Sequence, residues 1–317
     1  MGDVSRKLGL LLGLGASVAL VFYAKSALQD QDLSRYASTQ SLVAIVAAAM
    51  CYSTIIPISA WAWRLLLKDL GIHRPWRELS EIMAITQLAK YVPGNFGVHL
   101  GRAGMAMARG IAGGALVSTM LAEVVLAIAA ALAIGLAGIS LSAAGTGAVQ
   151  GDLRGALAIA AALAGIAFLL YLLLRHRVEL LTRRIAVRRG WTLDRLLPRA
   201  PTMLRAFGAY SVNYLLIGAG VWAMARLLLP DVEHDVGLLC ASFALAWVAG
   251  FFTPGAPAGL GVREALMIGI LGFAYGQADA LILVVALRLA TMLGDTLCFV
   301  AGYAMSLSSR RHLPPGN

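Results

Sequence analysis

Two arginines carry the clearest chemistry in this chain, because each follows a helix break at the same distance. Pro93-Gly94 precedes Arg102 and Pro254-Gly255 precedes Arg263, with seven residues between the glycine and the arginine, so that in both cases the arginine stands nine positions after the proline. Proline disfavours helical geometry in the residue before it and has no N–H to donate. A helix therefore cannot run straight through either stretch. A guanidinium is a planar fork that grips phosphate through two parallel hydrogen bonds and keeps its charge when partly desolvated. The chemistry at this spacing is recognition of a phosphate-bearing anion. The plainer alternative is local: each arginine caps or pairs nearby, Arg263 with the adjacent Glu264, and only fixes the fold. Gly94, Gly97, Gly255, Gly259 and Gly261 divide in the same way. They expose backbone N–H groups at half-helix N-termini, which attract anions, or they permit tight turns and close packing. Pro257 puts a second proline into the later break, and Asn95 is a residue common in turns.

The elements that position these residues belong to a membrane protein. Of 317 residues, 60% are hydrophobic and 13% charged, where a soluble domain carries about a quarter charged residues. Stretches 36–63, 124–151, 155–174, 206–225 and 236–262 contain no Asp, Glu, Lys or Arg, and a spanning helix needs roughly 20 such residues. The expected fold class is all-α and polytopic. Six full spans are expected, at about 8–24, 39–67, 115–142, 155–174, 206–229 and 280–307. Two broken-helix hairpins, about 79–110 and 236–275, complete a single domain over 1–308, followed by a tail over 309–317. Residues 1–24 read as an uncleaved first helix rather than a signal peptide.

Lys and Arg set the orientation. The N-terminus, the connector 68–77, the Arg-rich connector 175–205 and the C-terminus are basic and are expected in the cytoplasm, with connectors 25–38, 143–154 and 230–235 outside. The alternative for the hairpins is that each spans twice, which leaves the outer topology unchanged; as re-entrant elements they enter from opposite sides. That is the pattern of an inverted-repeat transporter in the cell's inner (plasma) membrane, with its site where the broken helices meet. The net charge of +10 is a topology signal, not a nucleic-acid signal.

Further charged residues fall inside the expected helices. Glu123, Arg288 and Asp295 form a relay that couples transport to ions, or else neutralise one another, Arg102 or Arg263. A buried unpaired charge is so costly that pairing is the expected outcome. Arg288 and Asp295, seven apart, share roughly one helix face. Lys90 attracts an anionic headgroup or reaches to the interface. His99 is expected to be structural. The cysteines Cys51, Cys240 and Cys298 lie in apolar segments without metal-ligand spacing. No nucleotide-binding loop or nucleophile elbow is present in the sequence, so neither cofactor nor metal is expected.

Trp63-Arg64-Leu65-Leu66-Leu67, Tyr91-Val92-Pro93-Gly94 with Gly101-Arg102, and Gly259-Leu260-Gly261-Val262-Arg263-Glu264 resemble the lysylphosphatidylglycerol synthase transmembrane-region family, also called flippase-like. The resemblance covers roughly 1–308. It implies movement of an anionic phospholipid or a polyprenyl-linked sugar between leaflets, alongside enzymes of lipid or surface-glycan synthesis. Full-length synthases add a soluble aminoacyl-transferase domain; the sequence ends about ten residues past the last span, so lysyl transfer is not expected. A membrane-embedded transferase, with Glu264 or Glu123 as base, and a non-transporting scaffold are the alternatives. The Gly/Ala-rich stretch 111–165 packs within the monomer or between protomers of a homo-oligomer.

Overall fold

The computed structural model describes residues 38–91, 97–142, 197–253 and 257–311. The expected spans 8–24 and 155–174, most of the basic connector and the break residues Pro93, Gly94, Asn95, Pro254 and Gly255 lie outside the described residues. Everything described is helix, turn or loop. The helices are α1 (Thr39–Ser53), α2 (Ile55–Asp69), α3 (Trp76–Thr86), α4 (Gly97–Ala108), α5 (Gly113–Leu141), α6 (Ala200–Leu228), α7 (Val236–Phe252), α8 (Val262–Tyr275) and α9 (Gln277–Arg311). Four stretches are long and apolar enough to cross a membrane: Thr39–Asp69, Gly113–Leu141, Ala200–Leu228 and Gln277–Ser308. The protein is a polytopic all-α membrane protein.

Local chemistry accounts for several boundaries. Ser38 caps α1 by accepting from the Ser41 N–H, and Asp235 caps α7 by accepting from Leu238 N–H at 3.0 Å. Pro57 cannot donate to the Ser53 carbonyl one turn earlier, and the Cys298 thiol donates there instead, at 3.5 Å. The α1–α2 span thus passes through Thr54 without leaving helical geometry. Helix α6 begins at Ala200, six residues before the expected start at 206. Pro201 suits a first helical turn, and Asp69 holds Arg199 immediately before it through the Arg199 N–H and the guanidinium.

Contacts between helix ends fix the direction of each element. At one end of the bundle, Asp69 meets Arg199, Arg77 donates to Ser308, and Arg109 returns to Glu78 and Glu81. At the other end, Gln40 donates to the Leu227 carbonyl, Gly138 lies against Gly237, and His234 stacks on Tyr275. The α3–α4 hairpin thus starts and finishes at the first end, and the α7–α8 hairpin starts and finishes at the second. Two units of span, hairpin and span result, running in opposite directions: α1–α2 with α3–α4 and α5, then α6 with α7–α8 and α9.

Small residues let these helices approach closely. A Cβ on Gly220 would sit 2.8 Å from Cys51, on Gly294 2.7 Å from Tyr52, and on Gly302 2.6 Å from Ala84. Trp63, fully buried, donates its indole N–H to Thr119 at 3.1 Å. On the outside, Leu42, Val43, Val46 and Met50 of α1 and Leu289, Met292 and Val300 of α9 are exposed. In a bilayer such faces meet acyl chains.

Candidate functional site where the two breaks meet

The first hairpin loses helical regularity before its proline. Helix α3 ends at Thr86 and a 3-10 turn covers Gln87–Tyr91. This tighter winding is a usual way to end a helix, here just ahead of a residue pair that cannot continue it. The turn is fastened to α9 by Asp295, which is fully buried. Asp295 accepts from Gln87 Nε2 at 3.0 Å, Lys90 Nζ at 2.7 Å and the Tyr91 hydroxyl at 2.5 Å. Lys90 also donates to the Tyr52 hydroxyl of α1 at 2.8 Å.

The second break is a run of left-handed backbone. Ala258, Gly259 and Gly261 have φ of 51°, 70° and 82°, and glycine at two of these positions avoids the Cβ penalty. Ala258 bears that strain itself. Helix α8 then opens with a one-way cap: the Gly261 N–H donates to Glu264 Oε2 at 2.6 Å. The other Glu264 oxygen faces Arg288 of α9 at 3.5 Å. The 3-10 turn Pro257–Gly259 touches Gln87–Tyr91. The two breaks therefore meet inside the bundle.

Arg263 lies in a slot made of absent side chains. A Cβ on Gly250 would come within 2.6 Å of Arg263 Nε, and one on Gly259 within 2.9 Å. Among the described residues Arg263 has no ion-pair partner, and its Nε is buried without a hydrogen bond. Its side chain borders a cavity of about 160 Å³. Lys90 and Arg288 line the same cavity, as do Tyr52, Tyr91, Tyr214 and Trp247. Tyr214 and Trp247 meet edge to face, ring centroids 5.8 Å apart.

Arg102 is placed differently. It is buried on α4, paired with Glu123 of α5, and its guanidinium lies 4.3 Å from the centre of the Trp63 ring. Tyr210 donates to Glu123 at 2.8 Å. Tyr210 itself borders the cavity, so the Arg102–Glu123 pair stands behind one layer of side chain.

Of the residues singled out in the sequence, Lys90, Arg263 and Arg288 line one cavity, while Glu264 and Asp295 hold its cations from behind. Arg102 and Glu123 form a separate pair. Gly97, Gly259 and Gly261 flank the breaks, and Pro257 begins the second 3-10 turn. Arg288 and Asp295 do not pair with each other; each reaches the opposite break. Sequence reasoning missed the aromatic wall. The available signal was Tyr210 and Tyr214, one turn apart with Asn213 between them, in a span otherwise free of need for polar groups.

The arrangement can hold an anion against Arg263 with aromatic surface beside it. No curated protein matches the chain. The family model for the lysylphosphatidylglycerol synthase TM region matches residues 10–298, nearly the whole of the two inverted units and the cavity between them, and the chain belongs to that family.

Proposed function

We propose that this protein moves an anionic phospholipid or a lipid-linked sugar between membrane leaflets, with the headgroup phosphate bound at the cavity between the breaks. The observation that carries the reading is Arg263: a half-buried cation, its Nε buried without a hydrogen bond, with no counter-ion among the described residues, bordering a cavity at the meeting of two oppositely directed hairpins. Broken helices that meet in an inverted repeat are where transporters bind substrate. A guanidinium there suits a phosphate. Arg263 is the primary contact in this reading, and Arg102, already held by Glu123, positions α4 against α5. Lys90 and Arg288 add to the positive field. The basic ends of the bundle face the cytoplasm of the cell's inner membrane. A transferase would need a free base beside the cavity. Glu264 and Glu123 are both engaged in ion pairs.

The test is leaflet exchange in proteoliposomes, followed with tail-labelled lipids and an impermeant quencher. Exchange of an anionic lipid that is lost in Arg263→Gln supports translocation. Equal exchange by wild type and variant refutes the role of Arg263, and no exchange of any anionic or polyprenyl-linked lipid refutes the activity.

A further inference from the structure

The charges at membrane depth do not balance, and the imbalance has a sign. Four cations lie on the breaks or in the helices around them: Lys90, Arg102, Arg263 and Arg288. Three carboxylates lie at that depth: Glu123, Glu264 and Asp295. The expected spans 8–24 and 155–174 and the break residues 92–96 and 254–256 cannot change this count, because they contain no Asp or Glu. Each deep carboxylate is already taken. Glu123 pairs with Arg102, Glu264 with Arg288 and the Gly261 N–H, and Asp295 with Lys90, Tyr91 and Gln87. Among the described residues one cation, Arg263, is left over.

We infer that the cavity selects its lipid by headgroup charge and takes a phosphodiester of net charge −1. This rests on the reading of the cavity as a lipid headgroup site and narrows the substrate class. A monoanion brings the deep charges to neutrality, which matters because an uncompensated charge in a low-dielectric interior is heavily penalised. A zwitterionic headgroup brings its own ammonium, and no carboxylate is free to receive it. A net-positive aminoacylated headgroup adds a second uncompensated cation. A phosphomonoester overshoots in the other direction.

The experiment compares headgroups at constant acyl chains. Purified protein is reconstituted in phosphatidylcholine vesicles with tail-labelled phosphatidylglycerol, phosphatidylethanolamine, lysyl-phosphatidylglycerol or phosphatidic acid, and exchange is measured. In parallel, dioctanoyl forms of the same lipids are titrated against thermal unfolding in detergent. Phosphatidylglycerol is expected to be preferred at least about ten-fold over the zwitterion and the cation in both assays, the size of one charged hydrogen bond. Ser59→Asp, which adds a carboxylate to the cavity wall, is expected to shift the preference toward phosphatidylethanolamine. Binding selectivity for phosphatidylglycerol without exchange supports the charge rule and overturns translocation. Exchange with no headgroup preference keeps translocation and overturns the charge rule, as does a preference for the cationic lipid. Because the wild-type headgroup series is decisive by itself, the rule stays testable if Ser59→Asp does not fold.

Discussion

The two breaks place an arginine at the same offset from Pro-Gly, yet they complete it in opposite ways. Arg102 has a carboxylate, and an indole ring beneath it. Among the described residues Arg263 pairs with neither; it has two glycines and a cavity. One motif therefore serves two ends, a closed ion pair that ties α4 to α5 and an open cation poised for a ligand. Repetition in sequence sets where a charge is placed. The neighbours of that place decide whether the charge is spent on the fold.

Breaking the pair at the first break should cost the most. Glu123→Ala leaves Arg102 buried and unpaired, and is expected to destabilise the protein by about 3–5 kcal/mol, read by denaturant titration in mixed micelles. Arg102→Met with Glu123→Met together should recover most of that loss, since a well-packed apolar pair often replaces a buried ion pair without penalty. Arg263→Met, by contrast, should leave stability equal or higher while exchange falls by about 100-fold, the upper range for a lost charged hydrogen bond. A stability loss at Arg263 matching that at Glu123 would erase the distinction between the breaks.

Crowding the slot sharpens the comparison. Gly259→Ala is expected to cost about 1–3 kcal/mol, because the residue is left-handed at φ 70°, and its Cβ would press on Arg263. Gly250→Ala removes the same space from a regular helix, so it should lower exchange with a smaller loss of stability. Adding Arg263→Ala to Gly250→Ala should restore wild-type stability but not exchange. The smallest effect is expected at Trp63→Phe, about 1 kcal/mol for one buried hydrogen bond and a weakened cation–π contact, measured by thermal unfolding in detergent.

Much of this architecture can be read from the chain. The hairpin halves 236–252 and 262–275 emerge with the bounds that their flanking Asp235, Pro254 and Gly276 suggest, because a cap and a breaker act on their immediate neighbours. The last span begins at Gln277, three residues before the expected 280, since Gly276 at φ 77° ends α8 and lets α9 start at once. The first hairpin begins at Trp76 rather than 79, because Pro75 holds the extended geometry that precedes a helix. Ion-pair partners were not legible. Arg288 and Asp295 share a helix face by spacing, and which break each one reaches depends on how α9 rotates against both hairpins. The emptiness around Arg263 was equally hidden, because it depends on Gly250, a residue thirteen positions away that comes beside it only when the hairpin closes.

The close approach of Gly138 and Gly237 has a mechanical consequence. A Cβ on Gly237 would lie 2.8 Å from the Gly138 carbonyl, so α5 and α7 touch backbone to backbone near one end of α7. Helix α7 runs to Phe252 and so extends about 22 Å from that point at the usual rise per residue. A swing of about 5° there displaces the far end of the helix, beside the Arg263 slot, by roughly 2 Å. Any tilt of α7 about the glycine contact would therefore be largest beside the cavity.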